Sequence, residues 1–166
     1  MASDQEPGSP ASTPEEAVGP RTETLFVIRR SKNANVVHYD AQLTAEGDLD
    51  PKEPVIAYWI LNAEDGRREE LSWIQRRKAY GFGIEPAPSG DGYTLTLVPL
   101  PERRILVKKV EGTIRAEMTI DGHQAVLRKV YIESSGGLLG PKVHYVQISG
   151  KDLKTGEERV ERIVPE

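Results

Sequence analysis

Cysteine is absent from the 166 residues. The protein therefore has no disulfide, no thiolate metal ligand and no cysteine nucleophile. Long apolar runs are missing too, and no stretch approaches the roughly 18 residues of a membrane-spanning helix. Residues 1–24 show neither the basic start nor the apolar stretch of a secretory leader, so a cytoplasmic location is expected. Charge of one sign is also scarce, with 22 Lys and Arg against 26 Asp and Glu. The apolar fraction is 37%. Ordinary domains reach about 45–50%, a figure that includes glycine. Part of the chain should therefore lie outside the core of what is, by length, one domain.

That part is the start. Residues 1–23 hold Pro7, Pro10, Pro14 and Pro20, and apart from Met1 and Val18 nothing apolar larger than alanine. Such a segment buries too little surface to offset its ordering entropy, which predicts a disordered tail over 1–23 and a domain over 24–166. The tail carries Asp4, Glu6, Glu15, Glu16 and Glu23 against Arg21 alone, and the other 143 residues balance 21 acids with 21 bases. A formally neutral body argues against a general polyanion binder, and no nucleic-acid partner is expected.

The body reads as strands. Leu25–Arg30 and the alternating Val36–Leu43 flank Ser31-Lys32-Asn33-Ala34-Asn35, which is turn chemistry. Val55–Leu61 is apolar on both faces, the pattern of a covered strand. Residues 69–79 break the pattern with no glycine, no proline and one β-branched residue, and predict a short helix. Tyr93–Leu97, Ile105–Val110, Thr113–Ile120, Gln124–Glu133, Val143–Ile148 and Arg159–Val164 continue the strands. Asp121-Gly122 is the strongest hairpin signal, and a two-residue turn there sets Met118 opposite Ala125. The expectation is an all-β domain of nine or ten antiparallel strands, a β-barrel or β-sandwich, with one short helix.

Arg128 sits awkwardly in this scheme. It shares a face with Val126, Val130 and Ile132, while the Asp121-Gly122 turn assigns Ala125, Leu127 and Tyr131 to the core. Covering both faces would bury Arg128, which would then require Glu117 or Glu161 as a partner.

Chemistry is sparsely signalled. His38, His123 and His144 have no local ligand spacing, and no metal or cofactor is expected. There is no Gly-x-Ser-x-Gly elbow, and the glycine-rich loop at 134–141 lacks the Gly-Lys-Ser/Thr ending of a phosphate-binding loop. Asp40 and Glu161 are candidate acids without a sequence-level partner. Basic doublets recur at Arg29-Arg30, Arg67-Arg68, Arg76-Arg77, Arg103-Arg104 and Lys108-Lys109, some near Trp73, Tyr80 and Phe82. Guanidinium groups beside aromatic rings hold an acidic group while the ring takes an apolar body.

Longer blocks carry a resemblance. Phe26-x-Ile28-x-Arg30-Ser31-Lys32-Asn33-x-Asn35-x-Val37-x-Tyr39 resembles the opening motif of a β-rich, mainly bacterial family of about 140 residues known as a domain of unknown function. Glu53-Pro54 with Tyr58-Trp59-Ile60 is similar to its second block. Leu71-x-x-Ile74-Gln75-Arg76-x-x-Ala79-Tyr80-Gly81 is similar to its third. Gly140-Pro141-x-Val143-x-Tyr145-Val146, Gly150-x-Asp152-x-x-Thr155-Gly156 and Glu161 are similar to its close. The resemblance implies no activity. It places Arg30, Ser31, Asn33, Trp59, Arg76 and Tyr80 within its blocks, and these, with Phe82, are the candidate site.

The expected function is binding rather than catalysis. Trp59, Tyr80 and Phe82 would contact the apolar part of a small amphipathic or anionic molecule, or of a partner segment, while Arg30 and Arg76 fix its acidic group. The alternative is a protein-interaction module that presents a strand edge such as Arg159–Val164, with the tail as tether. A hydrolase or isomerase using Asp40 or Glu161 is the third reading.

Overall fold

The computed structural model describes residues 21–136 and 142–165. The predicted acidic tail lies outside them up to residue 20, as does the stretch 137–141 of the glycine-rich loop. β1 (Arg21–Arg30) and β2 (Val36–Leu43) form an antiparallel hairpin. Their turn sets Lys32 at φ 61°, and the Asn33 side chain accepts the Asn35 N–H at 2.9 Å, the local bond that suits asparagine to turns. β3 (Val55–Ile60) pairs with β2, and the short β4 (Arg68–Glu70) pairs with β3. The helix α1 (Trp73–Lys78) leads to a meander of β5 (Phe82–Pro86), β6 (Tyr93–Leu97), β7 (Leu100–Val110), β8 (Thr113–Ile120) and β9 (His123–Ser135). β10 (Lys142–Asp152) and β11 (Glu158–Ile163) complete the sheet.

Among the described residues the fold is all-β with one short helix, as expected, but the sheet is mixed. β1 runs parallel to β9 from Val27 beside Lys129 to Arg30 beside Ile132. Every other strand pairing among the described residues is antiparallel. The parallel pair joins segments about 100 residues apart in the chain, Val27 beside Lys129, so no local pattern encodes it. Eleven strands among the described residues replace the expected nine or ten, because β4 occupies part of the segment read as helix. Glu69 and Glu70 extend the sheet edge opposite Trp59 and Tyr58. The helix then begins only after Ser72, whose hydroxyl accepts the Gln75 N–H while the Gln75 side chain accepts the Ser72 N–H.

β9 resolves the Arg128 puzzle. Ser149 pairs with Lys129 and Gly150 with Leu127, so Arg128 is an extra residue in a bulge. The bulge shifts the alternation. Ala125 and Leu127 are buried before it, Val130 and Ile132 after it, and Arg128 and Lys129 are both exposed. Arg128 is therefore not buried and needs no partner. Glu117 pairs with Arg115 at 2.5 Å instead. The same point is where the neighbour of β9 changes from β8, whose pairing with β9 stops at Glu117 opposite Val126, to β1, whose pairing with β9 starts at Val27 opposite Lys129.

Bulges of this kind strengthen twist, and the sheet curls as a half-barrel. A single apolar cluster fills the curl, drawing on both wings: Phe26, Tyr39 and Trp59 from one, Leu95, Leu97 and Ile105 from the other. Tyr39 of β2 meets Phe82 of β5 edge-on, with ring centres 6.0 Å apart. At the far end Arg103 of β7 holds Glu161 of β11 through bonds of 3.2 and 2.5 Å, and Glu161 also accepts the Asp121 N–H at 2.7 Å. The Arg103 bonds keep the Glu161 carboxyl below its ordinary range. Among the described residues no helix is long and apolar enough to cross a membrane.

Candidate functional site

Tyr80 organises the site. It follows α1 directly, and its N–H bonds the Gln75 carbonyl at 2.7 Å while its carbonyl accepts the Tyr39 hydroxyl at 2.6 Å. Its ring packs edge-on to the buried Trp59 indole, 5.1 Å between centres. The indole N–H in turn donates to Gln75 Oε1 at 3.1 Å, the atom that also closes the helix cap. The capping box therefore fixes both aromatic rings. Gly81 completes this joint, since a Cβ there would fall 1.6 Å from the Arg76 carbonyl oxygen.

Arg30 lies on one side of Tyr80. Its Nε donates to the Tyr80 hydroxyl at 3.1 Å, its guanidinium carbon lies 5.5 Å from the ring centre, and Nη1 donates to Ser134 Oγ at 3.5 Å. The parallel β1–β9 pair brings these groups together. Ser31 locks the end of that pair. Its hydroxyl donates to the Ser134 carbonyl at 2.8 Å and accepts the Ser134 N–H at 3.1 Å. A cleft of 630 Å³ opens here, lined by Arg30, Ser31, Lys32 and Tyr80 with Ser134, Ser135 and His144 across from them. His144 is the extra residue of a bulge in β10, and its Nε2 lies 2.9 Å from Ser135 Oγ. One acid, Glu133, also lines the cleft, and it accepts the Tyr131 hydroxyl at 2.6 Å.

Arg76 and Phe82 face other openings. They share a recess of 160 Å³ with Tyr80, and a groove of 480 Å³ with Tyr58, Arg68, Glu69 and Glu70. Arg76 sits 3.8 Å from Glu70. Arg30 and Arg76 thus line separate clefts, with Tyr80 common to the first cleft and the recess. Trp59 and Tyr80 are both buried, with Trp59 supporting Tyr80 from behind, so neither ring presents the open face that the sequence leads one to expect. Asn33 shapes the turn, accepting the Asn35 N–H through its side chain and Arg29 Nε through its carbonyl.

A second group of titratable side chains sits on β2 and β3. Asp40 is buried and accepts the Tyr58 hydroxyl at 2.7 Å, and its other oxygen has no partner among the described residues. His38 stacks on Tyr58 at 5.6 Å, and the Arg68 guanidinium lies 3.7 Å from the Tyr58 ring centre. Burial lowers the His38 pKa, while burial and the Asp40 bond raise that of Tyr58. Among the described residues no three of His, Asp and Glu converge as a metal site would require.

Ser134, Ser135, His144 and Glu133 were outside the sequence-derived set. The serines read only as part of a flexible glycine-rich loop, and His144 as a strand residue. Only the non-local β1–β9 pairing brings them to Arg30.

A family model described as "Domain of unknown function (DUF4833)" matches residues 26–162. No curated protein and no solved structure matches the chain.

Proposed function

The chain belongs to the DUF4833 family, and from the geometry of its Arg30 cleft we propose a non-enzymatic domain that binds a small anionic molecule with an apolar portion. One observation carries this reading. The half-buried Arg30 is held by two neutral hydroxyls, Tyr80 and Ser134, and none of the ion pairs among the described residues includes it. A guanidinium oriented by neutral groups keeps free donors for a carboxylate or phosphate. Lys32 adds a second cation, the serines add hydroxyls, and the half-buried Ala79 beside the edge of the buried Tyr80 ring offers the apolar part of the wall. The volume of 630 Å³ lies in the range of small-molecule sites.

Ser135 and His144 stand at the spacing of a nucleophile and its base. Among the described residues, however, no carboxylate bonds the other imidazole nitrogen, so the pair reads as donors to a ligand. Isothermal titration with decanoate, decanol and inorganic phosphate tests the proposal. Decanoate should bind more tightly than decanol, and Arg30→Gln should weaken decanoate about tenfold or more, the worth of one charged hydrogen bond. Equal binding of decanoate and decanol, or an unchanged Arg30→Gln, overturns it.

A second reading, an interaction module, is favoured by a separate observation. β11 pairs with β10 only, so its outer edge is unpaired among the described residues.

A further inference from the structure

β11 closes one end of the sheet. Its inner edge pairs with β10 from Lys151 opposite Glu158 to Val146 opposite Ile163. Its sequence is Glu158-Arg159-Val160-Glu161-Arg162-Ile163. Turned antiparallel upon itself about Val160, this strand is self-complementary. Glu158 falls opposite Arg162, Arg159 opposite Glu161, and Val160 opposite Val160. Edge strands ordinarily use charge to repel other edges. Here the order of the charges makes self-pairing attractive on both faces of the strand, because opposite charges directly across an antiparallel ladder stabilise it.

We infer that a second copy of this chain pairs with this edge, β11 against β11, about a two-fold axis through Val160. The inference rests on the interaction reading of β11 and is independent of the Arg30 cleft. The side chains of the outward face are poised for it. Glu158 takes part in no ion pair among the described residues. Among the described residues Arg162 is held by neutral groups alone, Gln147 at 3.1 Å and the Tyr145 ring at 3.9 Å. Between them Val160 is 44% exposed, an apolar side chain that the axis would bury against its own copy. On the other face Arg159 already bonds Asp152 and Glu161 already bonds Arg103, so pairing would join two existing ion pairs into a ladder. Residues 157–163 of both copies would overlap without a proline, since Pro165 falls beyond them. The chain's own residues 1–20 are a poorer occupant. Pro7, Pro10, Pro14 and Pro20 remove ladder donors, and every charged side chain there is acidic.

Sedimentation velocity of the full-length chain over a concentration series tests the inference. The wild type should show a reversible monomer–dimer equilibrium. Glu158→Arg and Arg162→Glu should each weaken it about tenfold or more, because the symmetry repeats each like-charge contact. Mixing the two variants should restore the dimer. At positions 158 and 162 the first variant then carries two bases and the second two acids, so both cross-strand contacts of the mixed pair join opposite charges. A wild type that stays monomeric, or a dimer indifferent to both substitutions, overturns the proposal. Hydrogen exchange at residues 158–163 separates this failure from failure of the wider reading. Half of those amides should exchange fast in a monomer with an open edge, and full protection in a monomer would show the edge covered and sink the interaction reading too.

Discussion

The hydroxyl of Tyr39, fully buried on β2, donates a 2.6 Å hydrogen bond to the main-chain carbonyl of Tyr80. It ties one wing of the curled sheet to the joint between α1 and β5, and so to the aromatic wall of the Arg30 cleft. Burial, with the neighbouring Tyr80 second, raises the Tyr39 pKa well above its ordinary value, so the phenol stays a donor at any working pH. Tyr39→Phe keeps the ring, which stacks on Phe26 at 4.7 Å and meets Phe82 edge-on, and removes only the donor. The Tyr80 carbonyl is then left without that partner. The expected loss in urea unfolding is about 1–3 kcal/mol with an unchanged m-value.

Gly81 and Gly83 offer a matched pair. A Cβ on Gly81 would stand 1.6 Å from the Arg76 carbonyl oxygen, whereas one on Gly83 would meet nothing within 4 Å. Gly81→Ala must therefore push the end of α1 away from β5 and disturb the Gln75 and Tyr80 contacts of Trp59. The expected outcome is a loss of more than about 2 kcal/mol and a red shift in tryptophan emission. Gly83→Ala should leave stability within about 0.5 kcal/mol of the wild type and the emission unmoved.

Asp121-Gly122 shows what was legible in the sequence. Both residues take positive φ, 52° and 79°, which the Asp-Gly pair tolerates, and the resulting turn sets Met118 opposite Ala125 as its length requires. The Asn33 turn and the half-buried Tyr93–Leu97 strand were legible for the same reason, that a short-range rule fixes them. Arg128 shows what was not. Its two conflicting faces were each correct for half of β9, and the bulge that reconciles them answers to Gly150 opposite. A Cβ on Gly150 would lie 2.0 Å from the Val126 carbonyl oxygen. Of the candidate site, Arg30, Ser31 and Tyr80 do meet. Arg76 belongs to a neighbouring opening, and Ser134, Ser135 and His144 reach Arg30 only through a pairing between distant segments.

Asp152 sets an acid limit. The Lys154 and Thr155 N–H groups bond one of its oxygens at 2.7 and 3.1 Å, and Arg159 bonds the other at 2.8 Å. These bonds, with that of Lys154 foremost, hold its pKa down to about 2. A depressed folded-state pKa stabilises above the ordinary carboxylate range, near 4, and that contribution fades as pH falls from there toward the folded value. Urea midpoints of the wild type should accordingly drop over that window. Asp152→Asn should be less stable at neutral pH and should show a shallower drop. Parallel curves for the two proteins would refute the assignment.

Ser31 joins fold and site most directly. Its hydroxyl both donates to the Ser134 carbonyl and accepts the Ser134 N–H, so it extends the parallel pairing of β1 and β9 by one side-chain rung where the backbone ladder ends at Arg30 and Ile132. Arg30 and Ser134 also bond each other, so the rung fixes one of the two neutral groups that orient the guanidinium. Ser31→Ala removes both bonds with almost no change in volume. Because the contact is only half-buried, water replaces part of it, and the expected global cost is about 1 kcal/mol. The local effect should be larger. The Ser134 amide should exchange faster than in the wild type by much more than its strand neighbours at Val130 and Ile132, whose exchange tracks global opening. If the Arg30 cleft holds an anion, decanoate affinity should fall with it, because a guanidinium freed from one orienting partner spends more of its binding energy on being ordered again. Uniform acceleration across β9 would instead mark Ser31 as a general stability residue with no particular hold on the cleft.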